Sequence, residues 1–174
     1  MSKNKGDTRD IHVLITGSQQ AGISSFIYQK DLDHEPRDES GIGIDIQTTD
    51  VFLEGKEYHL IFYEIAGPFP LDSLKKIFKK KYLGLVIVFD LSNTVSLELG
   101  EVLFNQIQEK LEDKMPKTKF LLGSHLDLEK DISDEAIEAL LTIMGKNTYY
   151  MEFSAKTGEN LLDALELVAK KIME

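Results

Sequence analysis

Gly17-Ser18-Gln19-Gln20-Ala21-Gly22-Ile23-Ser24-Ser25 is the stretch of this sequence best suited to holding an anion. It lies between an apolar run, Ile11 to Thr16, and a helical segment from about Ser24 to Asp31. Its glycine spacing is that of a phosphate-cradling P-loop, in which backbone amides and a helix N-terminus face the phosphates. Gly17, Gly22, Ser24 and Ser25 are the nucleotide-binding candidates, and Ser24 stands at the hydroxyl position that holds Mg²⁺ in such loops. The lysine position is Ile23. Two unit charges ~4 Å apart at an effective dielectric of about 20 attract by ~4 kcal/mol at most, roughly a thousandfold in affinity. Taken alone, the loop reads equally as a strand-to-helix turn without a ligand.

Other chemistry-bearing residues are less organised. His12 and His59 fall in strands and His34 in a charged loop, without metal-ligand spacing. The carboxylates are scattered and form no acid–base pair. Tyr149-Tyr150 reads as strand packing rather than a base-stacking platform.

The elements around these residues alternate. Ile42, Ile44 and Ile46 alternate with polar or small residues in a half-buried strand that continues toward Leu53. Glu54-Gly55-Lys56 is a turn, and Tyr58 to Tyr63 returns as a hairpin strand. Leu71 to Lys81 reads as a helix, and Leu85 to Phe89 as a strand buried on both faces. Leu99, Leu103, Ile107 and Leu111 mark a helix, Phe120 to Leu122 a short strand. Ile137, Leu140, Leu141 and Met144 form a helical stripe behind Asp134 and Glu135, which suit the helix dipole. Tyr149 to Phe153 is the last strand, and Leu161 to Ile172 the last helix, with Asn160 as its expected cap. The expected architecture is α/β: a six-stranded, mostly parallel sheet with one antiparallel edge strand and about five helices. Ligands of such sheets bind at the carboxyl ends of strands, here the loops starting at Gly17, Glu64, Asp90, Gly123 and Ser154.

Composition narrows the function classes. The 174 residues suit one domain, expected over 11–174 behind a flexible tail at 1–10. The net charge of −10 argues against nonspecific nucleic-acid binding. The absence of cysteine excludes disulfides, thiolate zinc sites, cysteine nucleophiles and cysteine-borne lipid anchors. The polar start has no signal-peptide core, and no apolar run approaches the ~20 residues of a membrane span. A cytoplasmic protein is the expectation.

Glu152-Phe153-Ser154-Ala155-Lys156-Thr157-Gly158 resembles the guanine-contacting loop of Ras-superfamily GTPases, with Ser-Ala-Lys intact. Leu121 to Leu128 resembles their Asn-Lys-x-Asp segment, keeping Asp127 and placing Ser124 and His125 at the Asn and Lys positions. Leu53 to Gly67 resembles the family's hairpin and Asp-x-x-Gly loop, with Glu64 for the Asp. Gly41-Ile42-Gly43-Ile44-Asp45 resembles the Thr-Ile-Gly-x-Asp of Rab proteins. The resemblance runs in order from about Ile11 to Met173, so the chain is identified as a Rab-like small GTPase-fold protein with degenerate nucleotide motifs.

The resemblance implies GTP or GDP with Mg²⁺ as cofactors, bound weakly. Gly41 stands at the threonine that senses γ-phosphate, and Pro68 at the glutamine that orients the attacking water. Phosphoryl transfer is mostly positioning and electrostatics, so little or no hydrolysis is expected. The base pocket is better kept. Asp127 would accept from guanine N1 and N2, bonds worth ~1.5–3 kcal/mol. The Ala155 amide would meet guanine O6, and Lys156 would lie against the base. Asp127 and Ser154 read equally as a tie between neighbouring loops.

The resemblance also implies two switch regions, where Asp31 to Glu39 is acidic and Lys75, Lys76, Lys79, Lys80 and Lys81 are basic. The simpler reading is two solvated faces, and the sharper one is that they pair with each other or with a partner, with Pro68 and Pro70 stiffening the second. Protein partners are expected on this surface through Ile44, Ile46, Tyr58, Phe62, Lys75, Lys76 and Lys79. The leading expectation is therefore an interaction module or adaptor. A slow but genuine GTP switch and a nucleotide-free subunit of a larger assembly stand beside it.

Overall fold

The computed structural model describes residues 9–28, 43–66 and 77–174. Its strands are β1 (Arg9–Gly17), β2 (Gly43–Leu53), β3 (Lys56–Ala66), β4 (Leu83–Asp90), β5 (Thr118–Ser124) and β6 (Thr148–Glu152). The described α-helices are α1 (Ile23–Tyr28), α2 (Thr94–Leu111), α3 (Asp134–Met144) and α4 (Leu161–Met173). The six strands form one sheet in the order β2-β3-β1-β4-β5-β6. Only the β2–β3 pairing is antiparallel, and it lies at the sheet edge.

Parallel strands between two helical layers must be apolar on both faces. β4 meets this with Leu85 to Phe89 entirely buried. One core layer joins Val13, Phe62, Val86 and Leu122 to α1 and α4 through Phe26 and Leu165. The other joins Leu14, Ile87 and Leu121 to α2 and α3 through Phe104 and Ile137. All five carboxyl ends of the parallel strands consequently point toward one rim, where the loops with chemistry gather.

Several expectations need correction. β1 begins at Arg9, so Arg9 and Asp10 belong to the sheet rather than to a tail. They pair with Tyr58 and His59, because a ladder needs only backbone groups and tolerates polar side chains at its end. In α2 the buried stripe is Leu97, Gly100, Phe104, Ile107 and Leu111, while Leu99 is exposed. Strict four-residue steps drift about 40° each around a 3.6-residue turn, so Leu99 has left the buried face that Leu111 occupies. Asn160 precedes α4 but makes no side-chain cap. It adopts φ 55°, and its Nδ2 donates 3.0 Å to the Glu152 carbonyl instead. Asn93 and Ser133 do cap, accepting from the amides of Val95 and Ala136. Four α-helices are described where about five were expected. Of the expected helix Leu71 to Lys81, the described part begins at residue 77, where Ile77–Lys79 forms a 3-10 turn. Residues 71–76 lie outside the described residues, as do Gly41, Pro68, Pro70 and the acidic loop 31–39.

Candidate nucleotide site

β1 delivers Gly17 to the rim against β4. A Cβ on Gly17 would lie 2.3 Å from the Val88 carbonyl oxygen, so the approach of the two strands admits only glycine there. Gln20 and Gly22 turn the loop with φ of 67° and 85°. The Ser18 and Ser96 hydroxyls lie 2.5 Å apart, and Ser96 Oγ also accepts the Asp90 amide at 2.8 Å. The loop is thereby fastened to the start of α2.

Ser24 is half-buried and Ser25 exposed, and neither hydroxyl has a partner among the described residues. Ile23 is buried in the α1–α4 core layer. Its Cδ1 lies 3.4 Å from where a Gly17 Cβ would be, so an apolar chain end rests against the first glycine of the loop. The loop keeps its shape and offers no cation at this position.

The loops after β5 and β6 are joined more tightly. The Phe153 amide donates 2.8 Å to the Gly123 carbonyl, and the Leu126 amide 3.1 Å to the Phe153 carbonyl. Ser154, fully buried, donates through Oγ to Asp127 Oδ1 at 2.6 Å and accepts the Thr157 amide at 3.1 Å. Lys156 Nζ lies 3.9 Å from Asp127 Oδ2, with the lysine side chain 81% exposed and the aspartate side chain 13% exposed. The Ser154 hydrogen bond lowers the Asp127 pKa below the usual carboxylate value, with Lys156 and His125 adding to it. Asp127 therefore serves as a tie between loops and stays an ionised acceptor with capacity left on Oδ2. Ala155 is half-buried beside it.

His125 takes φ 59° and folds back toward β4. Its Nδ1 lies 2.9 Å from Ser124 Oγ and 3.3 Å from Asp90 Oδ1. Ser124 Oγ in turn donates 3.0 Å to the Phe89 carbonyl and is buried. Asp90 Oδ1 also accepts from the Ser92 amide and hydroxyl at 2.9 and 2.7 Å.

Glu64 sits at the end of β3 and is committed to its neighbours. Gln47 Nε2 donates to Glu64 Oε2 at 3.0 Å and to Asp45 Oδ2 at 2.9 Å. Burial raises the Glu64 pKa, Asp45 raises it further, and the Gln47 bond opposes both. Gln47 Oε1 is buried without a partner among the described residues.

The expected partner surface divides. Ile46 is 60% exposed and Ile44 half-buried, both on the β2 face opposite Tyr63 and Ile65. Tyr58 and Phe62 face the other way. Phe62 is fully buried and packs edge-on against Phe26 with centroids 6.1 Å apart, so it belongs to the core and is withdrawn from the surface. Tyr58 is also buried in that core layer, so it too is not part of the exposed partner surface. The pleat explains this, since residues of opposite parity project to opposite faces. Lys79 and Lys80 are exposed, while Lys75 and Lys76 lie outside the described residues.

Sequence reasoning missed Gln47, Ser96 and the Asp90–His125 contact. Val51, four residues from Gln47 on the same face, was the available signal that this face of β2 turns inward. Nothing local marks Ser96, because its partner is 78 residues away. Among the described residues no group of three or more His, Cys, Asp or Glu is placed to hold a metal. His12 instead meets the Tyr63 hydroxyl at 3.0 Å, and His59 meets Asp50 at 2.6 Å. No described helix is long and apolar enough to cross a membrane.

A sequence profile of the Ras family matches residues 12–174. The "Ras and EF-hand domain-containing protein" of Danio rerio is 23% identical over 95% of this chain, which spans only 26% of that protein. "Ras-related protein Rab-18" of Lymnaea stagnalis is 24% identical over 94% of this chain and 81% of its own length. "GTP-binding protein ypt2" of Schizosaccharomyces pombe is 24% identical over 93% and 80%. Profile, sheet order and the joined loops after β5 and β6 agree: the chain belongs to the Ras family and is a Rab-like small GTPase in fold.

Proposed function

We propose that this chain works as a Rab-like interaction module, with weakened guanine-nucleotide binding and little or no turnover. Ras-family membership implies GTP or GDP and Mg²⁺ in general; the residues of this site fit the two halves of the nucleotide unequally. Asp127, the Ala155 amide and Lys156 would hold a guanine, and Ser24 is the hydroxyl available to Mg²⁺. The phosphate half is the weak one. The observation that carries the reading is Ile23, whose side chain is packed into the core against Gly17 where a phosphate cation is needed. One missing charge pair of this kind is worth up to ~4 kcal/mol. Glu64 is occupied with Gln47, which diverts it from a metal-bound water. The exposed Ile46 supports a docking role for the outer face of the hairpin.

The ionised Asp127 favours a second reading, a slow but genuine GTP switch, because a loop tie alone needs only one of its oxygens. Nucleotide analysis of natively purified protein separates the two readings, followed by titration of GDP, GTP and ATP into wild type and Asp127→Ala. The module reading expects an empty or largely empty site, with weak binding that prefers guanine and is lost in the variant. Stoichiometric bound GDP or GTP overturns it in favour of the switch. Equal affinity for ATP and GTP overturns the guanine pocket itself.

A further inference from the structure

A second concave surface lies away from the nucleotide loops. A cleft of 560 Å³ runs between the β2–β3 hairpin tip and α4. Its apolar wall comprises Leu53, Tyr58, Met151, Leu167 and Met173. Phe52 also borders the cleft, but its pairing with Glu57 projects the ring to the face that carries Ile46, away from Tyr58 and α4. Apolar surface rimmed by polar residues marks a contact site.

The rim is acidic. Glu54 of the hairpin turn and Asp163 and Glu166 of α4 line the cleft, with Lys170 as the cation among them. Glu174 also lines it, and is already paired with Lys171 at 2.6 Å. Glu54, Asp163 and Glu166 have no hydrogen-bond or ion-pair partner among the described residues. On α4, Asp163, Glu166, Leu167, Lys170 and Met173 recur at three- and four-residue steps, so one helix face presents acid at its edge and apolar surface beneath.

We propose that this cleft docks a short amphipathic helix of another protein, apolar on one face and flanked by lysine or arginine. Charge complementarity selects the occupant. The apolar wall takes anchors spaced as i, i+3 or i+4, and the unpaired carboxylates take the flanking cations. The net charge of −10 draws such a partner in and repels acidic ones or an anionic bilayer. The surface is independent of the nucleotide loops and stands whether or not a nucleotide is held there.

The test uses isotope-labelled protein and two synthetic helix-forming peptides of about 15 residues, one of Leu and Lys and one of Leu and Glu. The Leu/Lys peptide is expected to shift the amide signals of residues 52–58 and 163–173, and its binding to weaken as salt rises. Asp163→Lys with Glu166→Lys should weaken it about tenfold and admit the Leu/Glu peptide. Leu167→Ala should weaken it comparably, and unchanged amide signals in β4 and α2 show that trimming this half-buried side chain leaves the fold intact. Glu98→Lys with Glu109→Lys makes the same charge change on exposed positions of α2 and should leave affinity within about twofold. Equal loss in both charge-reversed variants, or shifts centred elsewhere, overturns the proposal as general attraction to an acidic protein. Concentration-dependent self-association that Leu167→Ala abolishes also overturns it, by making a second copy the occupant.

Discussion

Ser154 Oγ donates a 2.6 Å hydrogen bond to Asp127 Oδ1, and this one contact joins the loops that follow β5 and β6. It holds the carboxylate ionised and leaves Oδ2, 3.9 Å from Lys156 Nζ, without a hydrogen bond among the described residues, so the tie and a guanine contact would use different oxygens of one carboxylate.

Removing that hydroxyl should release the aspartate. Ser154→Ala is expected to raise the Asp127 pKa toward the ordinary carboxylate value, since this bond is its largest depressing cause. A depressed folded-state pKa contributes stability above the unfolded value and loses it as pH falls through the folded one. The variant should therefore show a shallower acid-side loss of stability than the wild type. Carboxyl NMR titration of Asp127 checks it, and an unchanged titration curve contradicts the assignment.

Glu64 should show the opposite sign. Its pKa is raised, chiefly by burial and then by Asp45. A raised folded-state pKa contributes stability below the unfolded value, which is lost as pH rises through the folded one. Glu64→Gln removes the titration and should flatten that segment of the stability–pH curve, measured by denaturant unfolding from acid to neutral pH. An identical slope in the variant shows that the buried carboxylate does not drive it.

Ile23→Lys tests the phosphate half. Taking a buried isoleucine from the core should cost about 2 kcal/mol of stability. In exchange, GDP and GTP should bind roughly tenfold tighter or more, as a cation reaches the loop. Turnover should stay very slow, because Pro68 supplies no group to orient water. Calorimetry for affinity and single-turnover hydrolysis for rate check this. A wild-type rate equal to that of the variant and readily measurable overturns the expectation of weak turnover.

Much of this protein is legible in its sequence. The continuous Leu85 to Phe89 run and the alternation around Ile44 and Ile46 carry the α/β architecture, because periodicity reports burial directly. The Gly17 and Gly22 spacing and the Ser154-Ala155-Lys156 loop carry the family, because local backbone geometry there depends on adjacent residue types. The absence of a lysine at Ile23 is equally a matter of sequence.

Tertiary structure alone decided the rest. Phe62 and Ile46 look alike as hairpin hydrophobics, yet one lies at 0% exposure and the other at 60%. Among the described helices, α1 and α4 contact β2, on the face of Gln47 and Val51, and alternation does not say which face is covered. The ties of Ser18 to Ser96 and Ser154 to Asp127 cross 78 and 27 residues. The cleft joins a hairpin turn near residue 54 to the last helix. Such pairings depend on how the sheet brings distant loops together, a geometry set by strand order and packing rather than by any local pattern.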